Sequence, residues 1–160
     1  MTAHAQRCGA TCASAESLLG LSEPALVGSI PELQRASRPV PGPRNSRGKW
    51  VLPDIVFATQ PYTVTYFIAG GHVSRIELLS TASRIQCMER VPFELALREL
   101  AKTYGESQAL GTSEDGGKSM QSVAFNTQAV DVSLYFSASE DECSTRVVYK
   151  TREVKDASEL

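Results

Sequence analysis

Hydrophobic and polar residues alternate most cleanly over Tyr62–Ser80, YTVTYFIAGGHVSRIELLS. Val64, Tyr66 and Ile68 alternate with Thr63, Thr65 and Phe67, the period-two pattern of a strand with one buried face. Ala69-Gly70-Gly71-His72 supplies a tight turn, because paired glycines accept positive φ. Val73, Ile76 and Leu78 continue on a return strand. The same pattern recurs over Val130–Thr151, with Val132, Leu134 and Phe136 outbound and Val147 and Tyr149 returning. Trp50–Leu52 and Ile55–Thr59 also read as strand, interrupted at Pro53-Asp54, and so does Met120–Thr127.

Helical spacing replaces alternation in two places. Over Ser14–Leu33, Gly20 and Leu21 end a short first helix, Ser22 caps a second, and Pro24 sits in its first turn, where a missing N–H costs nothing. Leu26, Ile30 and Leu33 give that helix an apolar face, and Pro31 ends or kinks it. Over Val91–Gly105, Phe93, Leu97, Leu100 and Tyr104 form one stripe. Glu94 and Arg98 make an i,i+4 pair, and Gly105 closes the helix. Gln34–Lys49, with three prolines, two glycines and no acid, predicts an extended loop. Glu106–Ser119 predicts a polar one.

Phe67 and Phe136 close the outbound strands 69 residues apart, and Arg75 and Arg146 open the return strands 71 apart. Helix, polar loop, strand and hairpin thus recur in order, which points to an internal duplication of about 70 residues. The expected fold is α+β in two similar halves, each with one or two helices on a three-stranded antiparallel sheet. The two sheets have room to abut as one larger curved sheet. The boundaries are a disordered segment 1–14, a first half 15–82, a second half 83–152 and a tail 153–160.

This element order, from GLSEPALVGSIPEL to the YFIAGGHVSRIELLS hairpin, resembles the small module of outer-membrane assembly lipoproteins of the SmpA/OmlA type. In tandem it resembles the β-lactamase-inhibitor-protein fold. The resemblance spans roughly residues 15–150 and rests on element order, without a specific motif. It implies an envelope protein that binds another protein through its sheet or loops. The weak apolar faces of the helices before Pro39 depart from the pattern, as does Arg7, where lipoproteins carry a small residue before the modified cysteine.

Charge and cysteines narrow the setting. The net charge is −2, which gives no global attraction to nucleic acid. Residues 1–80 hold 7 basic and 5 acidic side chains, and residues 81–160 hold 9 and 13. No apolar run reaches the roughly 18 residues of a membrane helix. Ala3-His4-Ala5 fits the small-x-small pattern before a signal-peptidase cut, with Gln6 the first mature residue. Four cysteines without a Cys-x-x-Cys pair favour disulfides in an exported chain, with Cys8–Cys12 and Cys87–Cys143 the preferred of three pairings. The expected location is periplasmic or secreted.

Candidate chemistry is sparse. Gly117-Lys118-Ser119 ends like a phosphate-binding loop. The glycine that should lead it is displaced to Gly111, however, and the segment runs from helix to strand rather than strand to helix. Glu114 and Asp115 would repel phosphate. His4 and His72 are the only histidines, and no nucleophile elbow or zinc motif occurs. No catalytic residue, metal site or cofactor is assigned. The remaining feature is a basic cluster of Arg35, Arg38, Arg44, Arg47 and Lys49, followed by Trp50. Arginine and tryptophan are enriched at interfaces, so these six are the candidate contacts for an acidic protein partner in the envelope. The competing possibility is a solvated loop with Trp50 turned into the core. The function expected is non-catalytic protein binding. The alternative is a small envelope hydrolase, or a protein holding a lipid or other small molecule between helices and sheet.

Overall fold

Eight strands form one antiparallel sheet in the order β1-β2-β3-β4-β8-β7-β6-β5. The structure is a computed structural model, and it describes residues 15–127 and 130–152. The elements run α1 (Ala15–Leu18), α2 (Glu23–Ser29), β1 (Gln34–Pro41), a 3-10 turn (Pro43–Asn45), β2 (Arg47–Phe57), β3 (Gln60–Ala69) and β4 (His72–Ser80). They continue with α3 (Arg84–Met88), α4 (Val91–Tyr104), β5 (Gln108–Asp115), β6 (Lys118–Asn126), β7 (Val130–Ala138) and β8 (Cys143–Thr151). Two four-stranded meanders are therefore joined at their last strands. Residues 1–14, with Cys8 and Cys12, and the tail 153–160 lie outside the described residues.

The expectation of two three-stranded halves is corrected. The sheet is continuous through β4 and β8, which pair from Arg75 opposite Lys150 to Leu79 opposite Arg146. Each meander also has a fourth strand, in a segment that the sequence pattern assigns to a loop. β1 and β5 are the two edges, and no residue of either is buried. An edge strand leaves one row of backbone N–H groups unpaired, so Pro39 and Pro41 are tolerated in β1. With neither face in the core, β5 has no alternation to read.

One face of the sheet is apolar along its length. Tyr66, Ile76, Tyr149, Val132 and Phe125 lie opposite one another across β3, β4, β8, β7 and β6. All five are at most 1% exposed. Val64, Leu78, Val147, Leu134 and Val123 form the next row. Burying each such side chain contributes about 1.5–3 kcal/mol, which is why the inward positions of these strands are so uniformly large and apolar. α4 packs on β6, β7 and β8, with Phe93 edge-on to Phe136 at 5.8 Å and Tyr104 beside Phe125 at 6.4 Å. Phe93, Ala96 and Leu100 are buried, while Leu97 and Tyr104 are half-buried. Glu94 pairs with Arg90 at 3.7 Å rather than with the expected Arg98.

The capping predictions hold locally. Ser22 Oγ accepts from Ala25 N–H at 3.3 Å, and Pro24 lies in the first turn of α2. Gly20 N–H donates to Val73 C=O at 2.7 Å, and Val73 N–H donates to Leu21 C=O at 2.8 Å. The segment between α1 and α2 thus satisfies the start of β4, which β8 does not reach. Gly70 and Gly71 carry φ of 57° and 78° in the β3–β4 turn. Asp54, at φ 57°, marks the bulge that divides β2. Cys87 on α3 and Cys143 at the start of β8 are disulfide-bonded, with Cα atoms 6.0 Å apart. Among the described residues no helix is long and apolar enough to cross a membrane.

Candidate functional site

All four helices lie on the apolar face, and among the described residues no helix covers the other. That open face carries the residues that alternate with the core. One row across it reads Phe67, Arg75, Lys150, Asp131 and Asn126. The next reads Val51, Thr65, Glu77, Val148, Ser133 and Ala124. A third reads Thr63, Leu79, Arg146, Tyr135 and Ser122. Ser144, Ser137 and Met120 follow beyond it.

The centre of this face is ionic. Arg75 Nε donates to Glu77 Oε2 at 2.6 Å, and Arg146 Nε lies 3.6 Å from Glu77 Oε1. One carboxylate is thus shared between two guanidinium groups, which leaves net positive charge. Beside it lie large apolar side chains at outward positions, Leu79 (38% exposed), Tyr135 (36%) and Met120 (46%). A shallow groove of about 790 Å³ runs over them. Arg75, Arg84, Lys118 and Arg146 line it against Asp141 and Glu142. A second hollow, of about 510 Å³, lies at the β3–β4 turn end of the sheet and includes Arg44, Arg75, Lys150 and Asp131 in its lining.

The six residues nominated from sequence do not form one surface. Arg35 stacks over Trp50, its guanidinium carbon 5.1 Å from the ring centroid. Trp50 is half-buried on the helix side, and its indole N–H donates to Glu23 Oε2 at 2.7 Å. Lys49 Nζ lies 3.9 Å from the other oxygen of Glu23. Arg35, Lys49 and Trp50 therefore gather round α2, where Trp50 also packs against the core. Arg38 is exposed in the irregular middle of β1, and Arg47 is exposed beside Ile68. Arg44 turns to the open face. It adopts φ 59°, and Asn45 follows at 61°.

Sequence pattern missed Leu79, Met120, Tyr135, Arg75, Arg146 and Lys150, because they come from four strands and share no local spacing. The available signal was a large apolar residue at a strand position that alternation assigns outward, as at Leu79 and Tyr135. No protein family, curated protein or solved structure matches this chain.

Proposed function

We propose that this chain is an exported, non-catalytic module that binds an acidic protein of the cell envelope through the open face of its sheet. The observation that carries the proposal is the groove on that face. Exposed Leu79, Met120 and Tyr135 supply apolar contact, and four cations against two acids supply charge, on a chain whose net charge is −2. An apolar centre with a charged rim is the anatomy of a protein interface. Arg44 adds positive charge at the β1–β2 side of that face. Arg35, Lys49 and Trp50 act mainly by holding α2 to β2.

The Cys87–Cys143 disulfide supports an oxidising compartment, periplasmic or secreted. The β4–β8 pairing supports an origin by internal duplication. Arg75 opposite Lys150 and Leu79 opposite Arg146 exchange under a shift of 71 residues, with Glu77 and Val148 at the centre. The alternative, a hydrolase or a lipid carrier, needs a deep cleft with convergent polar groups. The groove and the hollow lie instead on the open surface of the sheet.

The test is photo-crosslinking in the native envelope with a benzophenone side chain at position 135. The control is position 98, since Arg98 is exposed on α4 at the opposite face. A protein adduct at 135 and none at 98 is expected. Equal labelling at both positions, or labelling of lipid alone at 135, would remove the proposal.

A further inference from the structure

The hollow at the turn end of the open face has a chemistry of its own. Arg44, Arg75 and Lys150 line it with a single acid, Asp131, and with Ser46, Ser74 and Thr151. Arg75 shares its charge with Glu77, whereas Lys150 has no carboxylate within ion-pair distance among the described residues. Lys150 is therefore the least compensated cation in the hollow. Asp131, directly across the strand pair from it, sets the negative limit of the site.

Two features show that the hollow is built. Ser46 is 3% exposed, yet its Oγ has no hydrogen-bond partner among the described residues. A buried hydroxyl left unsatisfied is costly, because it has given up water without gaining a partner. The β1–β2 connection beside it is conformationally costly, with Arg44 and Asn45 both left-handed without being glycine. That connection is clamped onto the sheet. A Cβ at Gly42 would come within 2.7 Å of the Phe67 ring, so no larger residue fits there. The strained turn sets Arg44 on the hollow's rim, opposite Lys150.

We propose that this hollow is a carboxylate pocket that receives an acidic side chain of the bound protein partner. The proposal rests on the open face being the binding surface. Guanidinium groups hold a carboxylate through paired N–H donors. The ammonium of Lys150 supplies uncompensated charge, and the Ser46 hydroxyl gains its missing partner.

The probe is an acetylated, amidated tetraglutamate peptide, titrated into the 15N-labelled full chain at low salt. Saturable shifts confined to the amides of residues 44, 46, 74, 150 and 151 are expected. Lys150→Gln and Arg44→Asn each raise Kd at least about fivefold, the asparagine keeping a side chain that tolerates left-handed backbone. Ser46→Ala raises it about threefold. Asp131→Asn lowers it, an effect that a purely structural role would not produce. Lys102→Gln, at an exposed position of α4 on the helix-covered face, leaves it unchanged. Shifts spread over all basic residues, or a Kd indifferent to Lys150→Gln, would overturn the pocket. So would saturation of the hollow by inorganic phosphate at lower concentration than peptide, or binding to phosphatidylglycerol vesicles that Lys150→Gln abolishes. Loss of the pocket with the adduct at position 135 intact would overturn this inference alone.

Discussion

The two faces of the sheet are made from the same strands and differ in every other respect. Tyr149 and Lys150 are neighbours in β8, yet one is 1% exposed among aromatic and branched side chains while the other lines a charged hollow. The helix-covered face is almost purely apolar, and it is pinned by the disulfide and by the contacts of α4. The open face mixes guanidinium, carboxylate and apolar groups, with no helix over it among the described residues. The first face carries stability, so its residues are expected to resist change. The second contributes little to stability, and leaving Leu79, Met120 and Tyr135 in solvent has a rationale only if something covers them.

The largest effect should come from the covered side. The disulfide spans 56 residues in sequence and ties α3 to the start of β8. Its removal by paired serine substitution at Cys87 and Cys143 should cost about 4 kcal/mol in the chain-entropy account, read by urea unfolding. A loss near zero would mean that α3 is held by packing alone. The opposite sign is expected one turn of pleat away. Thr145 is 0% exposed and its Oγ1 has no hydrogen-bond partner among the described residues. Thr145→Val keeps the shape and removes the unsatisfied hydroxyl, so stability should rise by about 1 kcal/mol. A fall would show that the hydroxyl has a partner in solution.

A smaller, pH-dependent effect sharpens the same contrast. Burial, then the nearby Glu16 charge and its hydrogen bond, push the Tyr104 phenol up to about 12 from 10. The neutral phenol is favoured in the folded chain, so its contribution is complete below pH 10. Stability is lost as pH rises from about 10 through about 12. Ultraviolet titration should show one late phenol missing in Tyr104→Phe. Glu16→Gln should bring that phenol back toward 10. A titration identical to wild type in both variants would place Tyr104 away from Glu16.

What could be read from sequence follows from burial. β3, β4, β7 and β8 each have one face in the core, so their alternation survives in the residue order. α4 was legible for the same reason at helical spacing, and the Cys87–Cys143 pair from its position between two ordered elements. β1 and β5 have no buried face, and the prolines and arginines of one and the acids of the other spell loop. The register was also subtler than the spelling. The 69-residue offset between Phe67 and Phe136 places Val64 on Ser133, but with Leu78 and Tyr149 taken as equivalent, Val64 corresponds to Val132. A shift of one residue exchanges the two faces. The joining of β4 to β8 depends on partners some 70 residues apart, which no local pattern encodes. The candidate surface was hidden for that reason. Only the basic cluster was contiguous in sequence, and folding divided it between Glu23 on one side and the hollow on the other.

The central claim is that the open face binds and does not stabilise. Its most direct test is the double variant Leu79→Glu/Tyr135→Glu, carrying the benzophenone at position 120 and followed by thermal unfolding and crosslinking in parallel. Substitutions at exposed sites of this kind change stability by no more than about 0.5 kcal/mol, so Tm should stay close to that of the labelled parent chain. The protein adduct formed at position 120 should disappear. An adduct of unchanged yield, or a chain that unfolds many degrees earlier with the covered face intact, would contradict the division of labour between the two faces.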